Sequence, residues 1–145
     1  MTFSPIRTAT PRDLPEIEHV FAEAYSEYES SIKGLPNMLE GLAEAVAAHE
    51  VWVIEKGRKL VGCLILKETG NALHVVNVAT LPEVRGQGLG GAMMRFAEAE
   101  GALRDVDRMR LATHVDMPGN VAMYRHLGWT ETGRDGARVY MEKVL

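Results

Sequence analysis

The chain is nearly devoid of cysteine: Cys63 is the only one among 145 residues. No intrachain disulfide can form, and a reducing cytosol suits such a chain. Long apolar segments are missing too. The strongly apolar runs reach about six residues, against the roughly twenty that a membrane helix needs. The opening residues, Met1 to Arg7, lack the basic and apolar regions of a secretory signal, so the expectation is a cytoplasmic protein. Excess positive charge is absent as well. The formal net charge is −4 at pH 7, which gives no reason to expect nucleic acid or an anionic membrane as partner. Metal-ligand spacing is lacking: no two of the five histidines fall three or four apart on one helix, and Cys63 has no companion. There is no internal repeat and no low-complexity stretch. With 46% hydrophobic and 25% charged residues, the composition is that of an ordinary globular protein. The expectation is one domain over residues 1–145.

What is present is a glycine-rich stretch, Arg85-Gly86-Gln87-Gly88-Leu89-Gly90. Strand-like residues precede it, His74-Val75-Val76-Asn77-Val78-Ala79-Thr80. A helical pattern follows, with Leu89, Met93, Phe96 and Ala97 at spacings of three and four. The spacing therefore predicts a strand, a turn at Pro82, a glycine loop and a helix start. Glycines let backbone N–H groups approach a ligand without Cβ atoms in the way. A helix N-terminus adds unpaired donors and the positive end of the macrodipole. Together they make an anion site, most naturally for a pyrophosphate.

Gly86, Gly88 and Gly91 also satisfy G-x-G-x-x-G, so a dinucleotide-dependent oxidoreductase has to be weighed. A dinucleotide fingerprint turns directly from strand into glycine, whereas Pro82-Glu83-Val84-Arg85 intervenes here. The chain beyond the loop is too short for the remaining βαβ units. A Walker loop is excluded because no Gly-Lys-Ser/Thr occurs.

The order of residues resembles a known family. Arg85-x-x-Gly88-x-Gly90 is similar to the Gln/Arg-x-x-Gly-x-Gly/Ala signature of the GCN5-related N-acetyltransferases (GNAT). Upstream, Asn77-Val78-Ala79-Thr80-Leu81-Pro82 fits that family's pantetheine-pairing strand. Downstream, Asn120-Val121-Ala122-Met123-Tyr124-Arg125-His126-Leu127-Gly128-Trp129 resembles its later helix, with a tyrosine and a Leu-Gly-aromatic end. Nearly the whole chain can be laid on this pattern. The resemblance implies an α/β fold: a mixed central sheet of about seven strands, four helices on both faces, and a splay between strands four and five.

The resemblance also implies acetyl-CoA as co-substrate and a primary amine, of a small molecule, as acceptor. Arg85, Gly86, Gln87, Gly88, Leu89 and Gly90 would hold the pyrophosphate, and Val78, Ala79 and Thr80 the pantetheine arm. Asn120 stands where a CoA contact is expected, shifted from the more usual position occupied here by Met117. Tyr124 would protonate the departing thiolate, and His74 matches the place of a general base. Tyr25, Tyr28 and His114 are candidates for the acceptor site. A glutamate that some protein-acetylating members carry on the fifth strand is replaced by Ala112, which weakens a peptide substrate. The rival readings are a protein or peptide N-acetyltransferase and a non-catalytic acyl-CoA-binding or regulatory module. Homodimerisation stays open.

Local signals place the other elements. Residues 4–8 suggest a first strand. Thr10-Pro11-Arg12-Asp13 is a helix start, with Thr10 as N-cap and Asp13 near N3. Leu14, Ile17, Phe21, Ala24 and Tyr28 mark one helical face. Leu39, Leu42, Ala43 and Val46 predict a second helix. Residues 51–54 and 60–67 predict strands joined at a turn, and Gly62 suggests a bulge or a close approach. Beside it, Cys63 is expected as a packed hydrophobe. Residues 108–113 predict a fifth strand. Gly128 predicts a helix C-cap, and Asp135-Gly136 the turn of a terminal hairpin.

Overall fold

The structure, a computed structural model, describes residues 3–25, 40–115 and 118–145. Its strands are β1 (Arg7–Thr8), β2 (Val51–Lys56), β3 (Lys59–Thr69), β4 (Ala72–Thr80), β5 (Arg108–His114), β6 (Thr130–Asp135) and β7 (Arg138–Val144). The helices are α1 (Leu14–Ala24), α2 (Leu42–Ala47), α3 (Leu89–Leu103) and α4 (Pro118–His126). The strands form one mixed sheet in the order β1-β2-β3-β4-β5-β7-β6. β4 and β5 are parallel, from Ala72 opposite Arg108 to Val75 opposite Leu111, while β4 continues to Thr80 and β5 to His114. β5 with β7 and β6 with β7 are antiparallel. This is the mixed α/β architecture expected from the sequence. Tyr28 and Leu39 lie outside the described residues.

The chain divides into two compact units, Met1–Ile65 with Asn77–Met93 and Leu66–Val76 with Met94–Leu145. In the first, Ile17, Val20 and Phe21 are buried on α1, Val51 and Val53 on β2, and Leu89 and Met93 on α3. That burial follows the helical and strand spacing of the apolar residues. Cys63 is fully buried there, and burial pushes its thiol up to about 12, so it is a packed hydrophobe. Gly62 is a close approach and sits beside a bulge at Val61. The β2–β3 register shifts between Ile54 and Glu55, opposite it. A Cβ on Gly62 would stand 2.8 Å from Ile54 and 3.3 Å from both Leu89 and Met93.

In the second unit, Leu73, Met109, Tyr124, Trp129 and Met141 are buried. Helix α4 ends as a Schellman-type cap. Gly128 has φ 96°, the Trp129 N–H donates to Tyr124 O at 3.0 Å, and the two rings lie 6.1 Å apart. Gly136 turns the terminal hairpin with φ 59°. No described helix is long and apolar enough to cross a membrane.

The start of α1 is fixed by charge. Thr10 is the N-cap of a 3-10 turn over Pro11–Asp13 that runs into α1. Its N–H donates to Asp13 Oδ2 at 2.8 Å. Both terminal nitrogens of Arg7 also donate to the Asp13 carboxylate, at 2.9 and 3.0 Å, so β1 is tied to the helix entry. The Arg7 bonds hold the Asp13 carboxyl below its ordinary range against the opposing effect of burial, with Thr10 helping. Its folded pKa is thus lower than its unfolded one. The stabilisation is complete above the unfolded value, near 4, and is lost as pH falls through the folded value. Asp13→Asn should lower stability at neutral pH by about 1–2 kcal/mol, the low end for charged bonds because Arg7 is partly exposed. The variant should also lose less stability than the parent on acidification below about pH 4. Urea unfolding across pH measures both effects, and parallel acid curves would contradict the assignment.

Candidate functional site

The loop from β4 to α3 is built by backbone conformation. Pro82–Val84 forms a 3-10 turn that packs Val84 inward. Arg85 is extended, and Gly86 and Gly88 then adopt φ 80° and 79°. Only glycine enters that left-handed region without cost. α3 begins at Leu89, which is buried, and the Gly88 carbonyl accepts the Ala92 N–H at 3.0 Å. The first-turn N–H groups of α3 have no intrahelical partner.

The space beside the loop is open. A Cβ added to Gly86 or Gly88 would meet no atom of the described residues within 4 Å. The glycines are therefore required by backbone conformation within the protein, and their bare faces are free for a ligand. Lysines hold the loop from the β2–β3 hairpin. Lys56 Nζ donates to Gln87 Oε1 at 3.1 Å and Lys59 Nζ to Glu83 Oε1 at 3.0 Å. Arg85 behaves differently: its Nη2 donates to Ala24 O, at the end of α1, at 3.0 Å.

The strand leading into the loop alternates as its sequence predicts. Leu73, Val75 and Ala79 are buried, while Val76 is half exposed and His74, Val78 and Thr80 are intermediate. Asn77 shares the buried face and accepts a hydrogen bond from the Tyr25 hydroxyl at 2.9 Å. Tyr25 is the C-cap of α1 and stacks on Phe21, with ring centroids 6.2 Å apart. Tyr25 thus lies against the strand expected to carry pantetheine.

The second unit carries the titratable candidates. His74 lies on β4 opposite Arg110 of β5. Burial, and behind it the Arg110 guanidinium, hold the imidazole below its ordinary value. It is therefore neutral at pH 7, with a lone pair to accept a proton. Arg110 is itself bonded to Glu142 at 3.0 Å. Tyr124 is buried on α4, and burial pushes its phenol up to about 12, so it keeps its proton across the working range. His114 ends β5 and Asn120 lies in the first turns of α4, both half-buried.

A family model described as the acetyltransferase (GNAT) family matches residues 14–129. The chain belongs to that family. Members use acetyl-CoA, and the open left-handed loop at the start of α3 suits its pyrophosphate. Solved GNAT structures share the fold at low identity. The PaiA N-acetyltransferase of Thermoplasma acidophilum, in complex with coenzyme A, superposes with a TM-score of 0.91 at 19% identity over 100% of both chains. A GNAT acetyltransferase of Listeria monocytogenes gives 0.79 at 20% identity, covering 97% of this chain and 94% of its own. The ribosomal-protein-S18-alanine N-acetyltransferase of Escherichia coli gives 0.77 at 17%, covering 99% and 94%. No curated protein matches the sequence.

Reading the sequence did not single out Asn77, Arg110 or Lys56. Asn77 had a signal, a polar residue on the buried face of an apolar strand. Arg110 and Lys56 had none, because strand register and hairpin placement decide their neighbours.

Two measurements follow from this geometry. Gly88→Asn should keep the fold, since asparagine tolerates left-handed backbone, yet weaken CoA binding at least about tenfold by filling the open face. Gly88→Val should do both, losing roughly 1–3 kcal/mol to backbone strain as well as CoA affinity. Calorimetry and thermal unfolding separate the effects, and full CoA affinity in Gly88→Asn would make the open face irrelevant. In the second experiment, Arg110→Gln should raise the His74 pKa toward the ordinary 6.5. An NMR titration of the imidazole reads this directly, and an unmoved value would remove Arg110 as a cause.

Proposed function

We propose that the chain transfers an acetyl group from acetyl-CoA to the primary amine of a small molecule, by direct attack in a ternary complex. The observation that carries this reading is the open-faced loop at Gly86 and Gly88, which delivers unpaired amides at the start of α3. The backbone N–H groups of Gly86, Gln87, Gly88, Leu89 and Gly90 hold the pyrophosphate. Backbone groups of Val78, Ala79 and Thr80 pair with the pantetheine arm, as a strand pairs with an added peptide. Asn120 adds a CoA contact. Arg85 is left out of this set because its guanidinium is bonded to Ala24.

When bound, acetyl-CoA supplies an activated acyl thioester. His74, neutral because its pKa is lowered, takes the proton that the amine loses as its C–N bond forms, directly or through water. Tyr124, protonated because its pKa is raised, gives a hydrogen bond to the sulfur as the C–S bond breaks. A phenol near 12 is a weaker acid than a thiol near 8.5, so its main service is to stabilise the developing thiolate. Cys63, buried with its thiol held protonated, takes no part. Tyr25, Tyr28 and His114 are our candidates for the acceptor site. Ala112 on β5 offers no carboxylate for a peptide amine, which favours a small acceptor. A cytoplasmic location accords with the single reduced cysteine.

Release of CoA measured across amines, amino acids, polyamines, aminoglycosides and peptides tests the reaction and identifies the acceptor class. Tyr124→Phe should cut kcat by roughly 10²–10⁴-fold with acetyl-CoA affinity nearly intact. Its pH profile should lack any Tyr124 limb below about pH 10, while a limb from His74 falls below 6.5. CoA binding with no turnover on any amine would favour the acyl-CoA-binding module, and peptide-only turnover would favour a protein acetyltransferase.

A further inference from the structure

Arg85 heads the glycine motif, and one of its guanidinium nitrogens reaches the end of α1. Its Nη2 donates to Ala24 O at 3.0 Å, across 61 positions of sequence. Ala24 is the last residue of α1, so that carbonyl is among those a helix leaves without an internal partner. The cation also meets the negative end of the helix dipole. The next residue, Tyr25, closes α1 by donating its N–H to Phe21 O at 3.1 Å. Its hydroxyl reaches Asn77 on β4 at 2.9 Å. The first residue of the glycine loop and the strand that leads into it thus both bond to the end of α1.

We propose that Arg85 is a positioning residue that couples occupancy of the glycine loop to the last turn of α1 and hence to Tyr25. The inference rests on the reading of the loop as a CoA site and goes beyond it. The backbone following Arg85 turns through two left-handed glycines to the amides that meet the anion. A ligand that fixes those amides also fixes the base of the Arg85 side chain, and the guanidinium passes the restraint to Ala24 O. The Tyr25–Asn77 bond then holds the tyrosine ring in register on β4. Filling the loop in this way organises Tyr25, a residue proposed above for the acceptor site. The coupling is reciprocal, so tightening the end of α1 also tightens CoA binding.

Hydrogen exchange of the α1 amides, with coenzyme A itself as probe, tests this without knowledge of the acceptor. Saturating CoA should slow exchange of the Phe21 to Tyr25 amides at least about fivefold, the lower end of measured couplings. In Arg85→Gln the slowing should shrink to less than about twofold, while CoA affinity changes less than about threefold. Arg85→Lys, which keeps a donor for Ala24 O, should restore part of the slowing. Slowing that persists in Arg85→Gln would overturn the proposal. A loss of CoA affinity of tenfold or more, with a shallower salt dependence, would also overturn it by making Arg85 a phosphate ligand. Failure of the parent protein to bind CoA would overturn the acetyl-CoA reading itself, an outcome distinct from binding without coupling.

Discussion

The close packing of α3 on Gly62 is the constraint from which the glycine loop follows. A side chain on Gly62 would meet Ile54 at 2.8 Å, and Leu89 and Met93 at 3.3 Å, so α3 comes down onto β3 only because that position is bare. Leu89 is the first residue of α3 and is buried. Fixing it fixes the start of the helix, and with it the direction of the unpaired amides. The bulge beside Gly62, where the pairing with Ile54 and Glu55 skips Val61, belongs to the same adjustment. Interiors are packed at crystal-like density, so a shift at Gly62 moves the helix that carries the proposed anion site.

The loop between β4 and α3 combines stiffness with openness. Pro82 and the 3-10 turn set its start, buried Val84 and Leu89 anchor its two ends, and Lys56 and Lys59 restrain it from the hairpin. Its glycines face open space. Anchored ends lower the ordering cost of binding, and the glycine amides between them are what a ligand would fix.

Electrostatics divide the titratable candidates by role. Burial lowers the imidazole of His74 and raises the phenol of Tyr124, because burial disfavours the charged form of each. One group is left ready to accept a proton and the other to keep one. The same effect on Cys63 silences its thiol. A single physical cause thus gives three outcomes, according to which form of each group carries charge.

Features determined by neighbours in sequence were legible in it. The Thr10–Asp13 helix start, the glycine loop before α3, the cap at Gly128, the hairpin turn at Gly136 and the alternation of β4 all depend on residues a few positions apart. Gly62 announced a close approach but not what approached. The roles of long side chains were not legible. Arg85 looked like a pyrophosphate ligand by its place in the motif, and nothing in its sequence neighbourhood announced that one of its nitrogens reaches Ala24. Tyr25 looked like a core-edge or pocket residue, and its hydroxyl found Asn77. His74 carried no sign of Arg110, whose place beside it comes from the parallel register of β4 and β5. Backbone conformation is chosen over a few residues, so the sequence by itself determined the loop and the caps. The end of a guanidinium, a phenol or an imidazole meets whatever the fold brings within hydrogen-bond distance, from tens of positions away, and only the tertiary structure decided those contacts.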